Sequence, residues 1–336
     1  MPFSKGERLR VAYRNAASGG YAFMANNIAE PTILMGLLEA YREARSDLLI
    51  QISPGAAKYA GVGNKQVGLR ALATLVRELA AGYPMAVFLN LDHFTCDEMN
   101  LIDDAIASEL VSSIMIDAST EDFDENVRLS RSVVERAHGT GILIEAELGK
   151  IKGVEDEISS DEAFYTDPDE AVEFMRATGA DLLAISIGTQ HGVSKGREIE
   201  LRIDLAEAIH SKLSAAGLDV PLVLHGSSGL LPDQVRDVIR YGIRKLNKDT
   251  HYQYVYGRAA CSFYLDHRTG ILPPEGVEDD VLNLFSGSEW SPNKKVFDPR
   301  AAGAAIQKEV KGIARALIDQ AGSNGRMIGT GEDRNA

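Results

Sequence analysis

The chain has 336 residues, 45% hydrophobic and 25% charged, an ordinary globular composition that can bury a substantial core and is unlike that of a disordered chain. Its 35 basic against 49 acidic residues leave a formal charge of −14, which disfavours a nucleic acid or an anionic membrane as principal partner. Only Cys96 and Cys261 are present and no CxxC, the N-terminus is charged, and no apolar run nears the ~20 residues of a membrane span, so no disulfide framework, signal peptide or transmembrane helix is expected, and a cytoplasmic enzyme is.

Residues 6–17 read as a helix suited to cover one end of a barrel. Short runs rich in Val, Ile and Leu then alternate with longer helical patterns, the signature of βα units with a parallel sheet buried on both faces. Eight such runs fall at about 20–26, 47–53, 85–91, 111–117, 141–147, 181–187, 220–225 and 242–247. Eight units predict an α/β protein built as a closed (β/α)8 TIM barrel, with a doubly wound open sheet as the competing architecture. Asp167-Pro168-Asp169-Glu170 supplies an N-cap, a proline at the first helical position and a glutamate at the capping-box position, and Gly179 is placed to stop that helix.

Two connections exceed the usual few residues: 148–166 after the fifth run, and roughly 266–293 before the C-terminal helix. The first carries Lys150, Lys152, Glu155, Asp156 and Glu157 and reads as a mobile loop bearing a catalytic carboxylate. Ile306, Val310, Ile313 and Leu317 recur at helical spacing as a docking stripe. One domain over 1–320, terminal helices included, is expected, followed by a flexible tail at 321–336.

His93, His191 and His225 each stand where a predicted strand ends. A lone histidine is more often a satisfied core or surface residue, but three at separate strand ends point to a metal site on the catalytic rim, with coordination positions open to substrate. Asp92, Asp117 and Glu147 supply carboxylates to orient such ligands. Zinc is the expected ion, and cobalt, manganese or iron(II) suit the same nitrogen set. Asp92 immediately precedes His93, so on an extended strand their side chains point to opposite sides unless a loop begins there. It reads as a ligand, as a proton carrier, or as a turn-forming aspartate.

Gly226-Ser227-Ser228-Gly229 follows the seventh run, and Asn247-Lys248-Asp249-Thr250 follows the eighth at the head of a helix. Amides, hydroxyls and a helix N-terminus in those two places form the usual phosphate cradle of such barrels, and Lys195 adds positive charge. Gly61-Val-Gly-Asn-Lys lacks the remaining glycines and hydroxyl of a nucleotide loop and reads as an ordinary loop.

Leu91-Asp92-His93, Glu145-Ala-Glu147-Leu-Gly149, Tyr165-Thr-Asp-Pro168, Ile187-Gly-Thr-Gln-His191-Gly192, Leu224-His-Gly-Ser-Ser-Gly229 and Lys245-Leu-Asn247-Lys-Asp249-Thr250 resemble, in order, the motifs of class II metal-dependent fructose-bisphosphate aldolases. Pro292-Asn-Lys-Lys-Val-Phe-Asp298-Pro-Arg300 resembles the C-terminal segment of the longer members. The resemblance implies that His93, His191 and His225 bind zinc, with Glu147 and Asp117 near an alternative metal position. It implies that Asp92 is the acid/base at the C4 hydroxyl and that Glu155 exchanges the carbon-bound proton of dihydroxyacetone phosphate. Gly192, Gly226, Ser228, Asn247, Asp249 and Thr250, with Lys195, would hold the first phosphate and triose hydroxyls, beside a potassium or sodium ion. Asn26 and Ser53 match substrate-side polar positions, and Arg300 resembles an arginine that reaches the distal phosphate from a neighbouring subunit, implying a homodimer or homotetramer.

The implied reaction is reversible cleavage of fructose 1,6-bisphosphate into dihydroxyacetone phosphate and glyceraldehyde 3-phosphate. Tagatose 1,6-bisphosphate or sedoheptulose 1,7-bisphosphate is the alternative sugar, and a metal-dependent hydrolase or a silent sugar-phosphate-binding protein the alternative class. Five positions depart from the family pattern: Asn90 where many members have histidine, Phe94 for a small residue or cysteine, Val154 for the first of two loop glutamates, Ser227 for the middle glycine, and His251 for an acidic residue. Phe94 and Ser227 are expected to reshape the pocket and alter the acceptor aldehyde.

Overall fold

A computed structural model describes residues 4–155, 158–160, 164–192 and 200–328, with backbone alone at 152–155 and 158–160. In chain order its strands are β1 (Phe23–Asn27), β2 (Leu48–Ile52), β3 (Val87–Phe94), β4 (Ser113–Ile116), β5 (Leu143–Leu148), β6 (Lys152–Glu155), β7 (Ile158–Ser160), β8 (Leu182–Ile185), β9 (Gln190–His191), β10 (Leu222–Leu224) and β11 (Ile243–Lys248). The helices are α1 (Gly6–Gly19), α2 (Pro31–Ala44), α3 (Pro54–Ala60), α4 (Lys65–Ala80), α5 (Met99–Ala107), α6 (Phe123–Ala137), α7 (Pro168–Thr178), α8 (Ile203–Ala215), α9 (Pro232–Arg240), α10 (Thr250–Asp266), α11 (Lys294–Phe297) and α12 (Pro299–Ala321).

All eight expected runs form strands. They pair in parallel in the order β1-β11-β10-β8-β5-β4-β3-β2, and β1 pairs with both β11 and β2, which closes the barrel and rules out the open sheet. The capping signals around α7 act as the sequence suggests: the Asp167 side chain accepts from the Asp169 and Glu170 amides, and Gly179 ends the helix at φ 68°.

One end of the barrel is plugged. Leu9, Ala12, Tyr13 and Ala16 of α1 pack against Phe23, Leu49, Phe88, Leu143, Leu182 and Val223, which lie at or near the N-terminal ends of six strands. Polar chemistry is left to the opposite rim, where the strands end and the following loops begin. On the outside, Ile306, Val310 and Leu317 of α12 are buried in the main core.

Two expectations are corrected. Residues 322–328 are docked rather than loose: Gly322 turns the chain at φ 73°, and the Gly325 and Met327 amides then donate to the carbonyls of Ala44 and Arg45 at 2.8 and 2.9 Å. Those carbonyls lie at the C-terminal end of α2, where helical acceptors need outside donors. Residues 329–336 lie outside the described residues. The 148–166 segment, expected as a loop, contains an antiparallel pairing of β6 with β7, and β6 also pairs in parallel with β9, aligning Gly153 with His191. Among the described residues, no helix is long and apolar enough to cross a membrane.

Candidate active site

The end of β3 resolves the geometric conflict between Asp92 and His93. Pairing between β3 and β4 shifts register between Leu91 and Phe94, and His93 takes a left-handed conformation, φ 53°. That turn breaks strict alternation, so Asp92, His93 and His225 offer ligand atoms that all lie within 4.8 Å of one another. A left-handed conformation at a residue other than glycine costs about 1–2 kcal/mol and marks a locally imposed geometry. Phe94, expected to reshape the pocket, is fully buried in the main apolar core.

Each of two histidines is oriented by a buried carboxylate. His93 Nδ1 lies 2.8 Å from Asp117 Oδ2, whose other oxygen accepts from the Ser119 amide and hydroxyl. Burial raises the Asp117 carboxyl, but its bond to His93, that residue's charge and Ser119 together hold it below the usual carboxylate range. Ionised Asp117 makes Nδ1 the donor, so Nε2 is the ring nitrogen of His93 left to face a metal.

His225 Nε2 lies 2.9 Å from Glu145 Oε1, and Lys245 Nζ donates to Glu145 Oε2 at 2.7 Å. Burial raises the Glu145 carboxyl, yet Lys245 and His225 draw it down to about 2. Burial, then the neighbouring His93, lowers His225, so its imidazole is neutral. Nε2–H therefore donates to Glu145, and the lone pair on Nδ1 is turned toward the Asn247 side chain. His191, half-buried on β9, completes the group: ring centroids are 4.5 Å apart for His93 and His225, 5.4 Å for His93 and His191, and 6.4 Å for His191 and His225. A second cluster of ligand atoms joins His93, Asp117 and Glu147, also within 4.8 Å.

Asp92 sits at the meeting point of a hydrogen-bonded relay inside the barrel. Ser113 donates to Asn90 at 2.7 Å, Asn90 to Gln51 at 3.0 Å, Gln51 to Asn27 at 2.8 Å, and Asn27 to Asp92 Oδ2 at 2.7 Å. From the other side Asn247 Nδ2 donates to Asp92 Oδ1 at 3.0 Å and approaches His225 Nδ1 at 2.8 Å. Every amide passes its donor toward the carboxylate, which fixes Asp92 as an acceptor at the mouth of the histidine cluster. Asn247 Oδ1 is buried and has no partner among the described residues, an acceptor suited to a ligand hydroxyl.

The sequence did not reveal Asn27, Gln51, Glu145 and Lys245 as members of this site. For Glu145 and Lys245 a signal was available: each stands two residues from a polar residue already picked out, Glu147 and Asn247, the spacing of one strand face. Asn26, expected on the substrate side, is instead locked elsewhere. Its amide donates to the Met24 and Leu49 carbonyls and to Tyr41, and its oxygen accepts from Tyr252 at 2.6 Å. Strand alternation hands the inward position to Asn27. Ser53 follows β2 directly and caps α3, accepting from the Ala56 amide at 3.2 Å.

At the expected phosphate cradle, Gly192 and Gly226 are left-handed at φ 80° and 62°. A Cβ at Gly226 would stand 2.8 Å from the Gln190 carbonyl, so the loop after β10 lies directly on the strand that carries His191. The Ser227 hydroxyl donates to the Asn247 carbonyl at 2.7 Å, a brace within the cradle. Ser228, Asp249 and Thr250 are half-buried there, and Asp249 accepts from Gln253 at 2.8 Å. Lys195 and the side chains of Val154 and Glu155 lie outside the described residues. Arg300 is exposed on the first turn of α12 and pairs with Asp298 at 2.6 Å.

Borderline nitrogen donors, two of them aimed by ionised carboxylates, with further carboxylates adjacent, fit a divalent transition metal. The profile described as fructose-bisphosphate aldolase class-II matches residues 7–326. The fructose-bisphosphate aldolase of Thermus caldophilus is 33% identical over 338 residues, spanning 93% of this chain and 97% of that protein. That of Treponema pallidum (strain Nichols) is 38% identical over 245 residues, 68% of this chain and 71% of its own. Among solved structures, the fructose-bisphosphate aldolase of Campylobacter jejuni superposes with TM-score 0.81 at 23% identity over 96% of each chain, a likeness of fold. The YdjI aldolase of Escherichia coli K12 does so with TM-score 0.70 at 26% identity, covering 97% of this chain and all of that one. With a family profile spanning nearly the whole chain and a 33% identical relative aligned along 93% of it, this protein belongs to the class II fructose-bisphosphate aldolases, a family of metal-dependent lyases.

Proposed function

We propose that the protein reversibly cleaves fructose 1,6-bisphosphate into dihydroxyacetone phosphate and glyceraldehyde 3-phosphate. The observation that carries this reading is the Asp92 carboxylate, held by Asn27 and Asn247 within the same 4.8 Å cluster as the ligand atoms of His93 and His225. Retro-aldol cleavage needs a base at the C4 hydroxyl beside an electron sink at the C2 carbonyl, and this arrangement puts both functions in reach of one substrate.

Zinc held by His93, His191 and His225, when bound, supplies the positive charge that lowers the energy of the enediolate. Cobalt, manganese or iron(II) would serve the same nitrogens, and Glu147 and Asp117 offer a second position. Asp92 takes the C4 hydroxyl proton as the C3–C4 bond breaks; the bonding pair passes into the enediolate, and the former hydroxyl carbon leaves as the aldehyde. Glu155 then returns a proton to the C3 carbon. Asn247 Oδ1 accepts a triose hydroxyl, and Gly192, Gly226, Ser228, Asp249 and Thr250, with Lys195, hold the first phosphate. Arg300 serves the distal phosphate of a neighbouring subunit in a homodimer or homotetramer, a reading supported by its exposure; sedimentation at the mass of one 36.4 kDa chain would overturn it.

The test is coupled detection of dihydroxyacetone phosphate from fructose 1,6-bisphosphate, before and after chelation and after zinc is restored. Release that chelation abolishes and zinc restores is expected. Chelator-insensitive release would overturn the metal role. Release from tagatose or sedoheptulose bisphosphate in place of fructose bisphosphate would transfer the reading to that ketose.

A further inference from the structure

Lys248 closes β11 with only 1% of its surface exposed, and alternation sends it to the side opposite Lys245 and Asn247. The contrast with Lys245 is chemical. Lys245 is buried too, but against the Glu145 carboxylate at 2.7 Å, whereas among the described residues the Lys248 ammonium donates only to the main-chain carbonyl of Ser227. Among the described residues no carboxylate pairs with it, and burial alone governs its protonation. An ammonium buried against a single carbonyl is costly unless a counter-charge arrives.

Among the described residues its surroundings lack that counter-charge, and they border the loop read above as the phosphate cradle. Ser227 belongs to the Gly226–Gly229 loop, its hydroxyl is already committed to the Asn247 carbonyl, and α10 begins two residues after Lys248 with its N-terminal amides at the same rim. We propose that Lys248 is the buried counter-charge of the phosphate cradle: its ammonium, seated beneath the loop, attracts the phosphate of a phosphomonoester across the Ser227 peptide and selects phosphorylated over neutral ketoses. This rests on the aldolase reading of the rim and gives a role to the one side chain of the Asn247–Thr250 motif to which the sequence reading assigned none.

Two features reinforce the geometry. In a desolvated setting the attraction between ammonium and phosphate is screened far less than at the surface. Burial also draws the Lys248 ammonium down to about 7, so an arriving anion stabilises the charged form; half-buried His251 on α10 is the titratable neighbour, itself lowered by burial and by Lys248.

The test uses the full chain and inorganic phosphate as probe, with the dissociation constant from calorimetry and the ligand-free melting temperature read in parallel. Lys248→Met removes the charge, and Lys248→Gln removes it while keeping an N–H for Ser227. Both variants are expected to melt no lower than wild type and to bind phosphate about 10-fold or more weakly, the usual worth of a hydrogen bond or contact to a charged group. Phosphate affinity within twofold of wild type in the folded Lys248→Gln variant overturns the proposal, as does absence of phosphate binding by the wild type. Because the readout is equilibrium binding, its failure is separate from failure of fructose bisphosphate turnover.

Discussion

At His93 one backbone angle decides what two side chains can do. With φ at 53° and the β3–β4 register shifted beside it, Asp92 and His93 share the rim although they are neighbours in sequence. Both residue types were legible in the sequence, and so was their chemistry; their common direction was not, because it depends on a mismatch with another strand. Asn26 and Asn27 teach the same lesson, since a single step along β1 exchanges a structural amide for one that holds Asp92. Asp92→Ala should lower carbon–carbon cleavage by about 10²–10⁴-fold, the usual contribution of general acid–base catalysis, while bound metal, measured by atomic absorption, stays near wild type because the three histidines remain. Turnover close to wild type would take Asp92 out of the mechanism.

Among the elements, the short β9 connects the loop systems of the rim. β6 pairs with it on one side, aligning Gly153 with His191, and the loop after β10 rests on Gln190 at the place where Gly226 has no side chain. Gly226→Ala would meet both a φ of 62° and a Cβ 2.8 Å from the Gln190 carbonyl, contacts that backbone cannot yield without moving His191. A stability loss of about 1–3 kcal/mol in denaturant melts is expected, with weaker metal retention after dialysis. Wild-type stability and metal content would show that the loop and β9 move independently. The sequence displayed the caps of α7, which are local, but concealed the β6–β7 pairing, whose partner β9 lies more than thirty residues on.

Across the whole molecule, Glu145 ties β5 to β10 and β11 through the barrel interior, although neither is its neighbour in the sheet. Its carboxyl falls from about 4.5 to about 2 on folding, so its contribution is complete above about pH 4.5 and is lost as pH falls through about 2. Glu145→Gln leaves the Lys245 ammonium buried without its partner and should cost about 3–5 kcal/mol, read from the denaturant midpoint, and should flatten the acid dependence in that window. An unchanged midpoint would mean that Lys245 finds another acceptor. The sequence by itself determined the barrel class, because eight apolar runs alternating with helical stripes can be buried together in few ways, and it exposed the three histidines because strand ends of such a barrel converge. Only the tertiary structure decided which polar residues meet: the relay into Asp92, the carboxylates behind His93 and His225, and the Lys248 ammonium against the Ser227 carbonyl. Each depends on register between strands distant in sequence, and no local pattern encodes which face of one strand confronts which face of another.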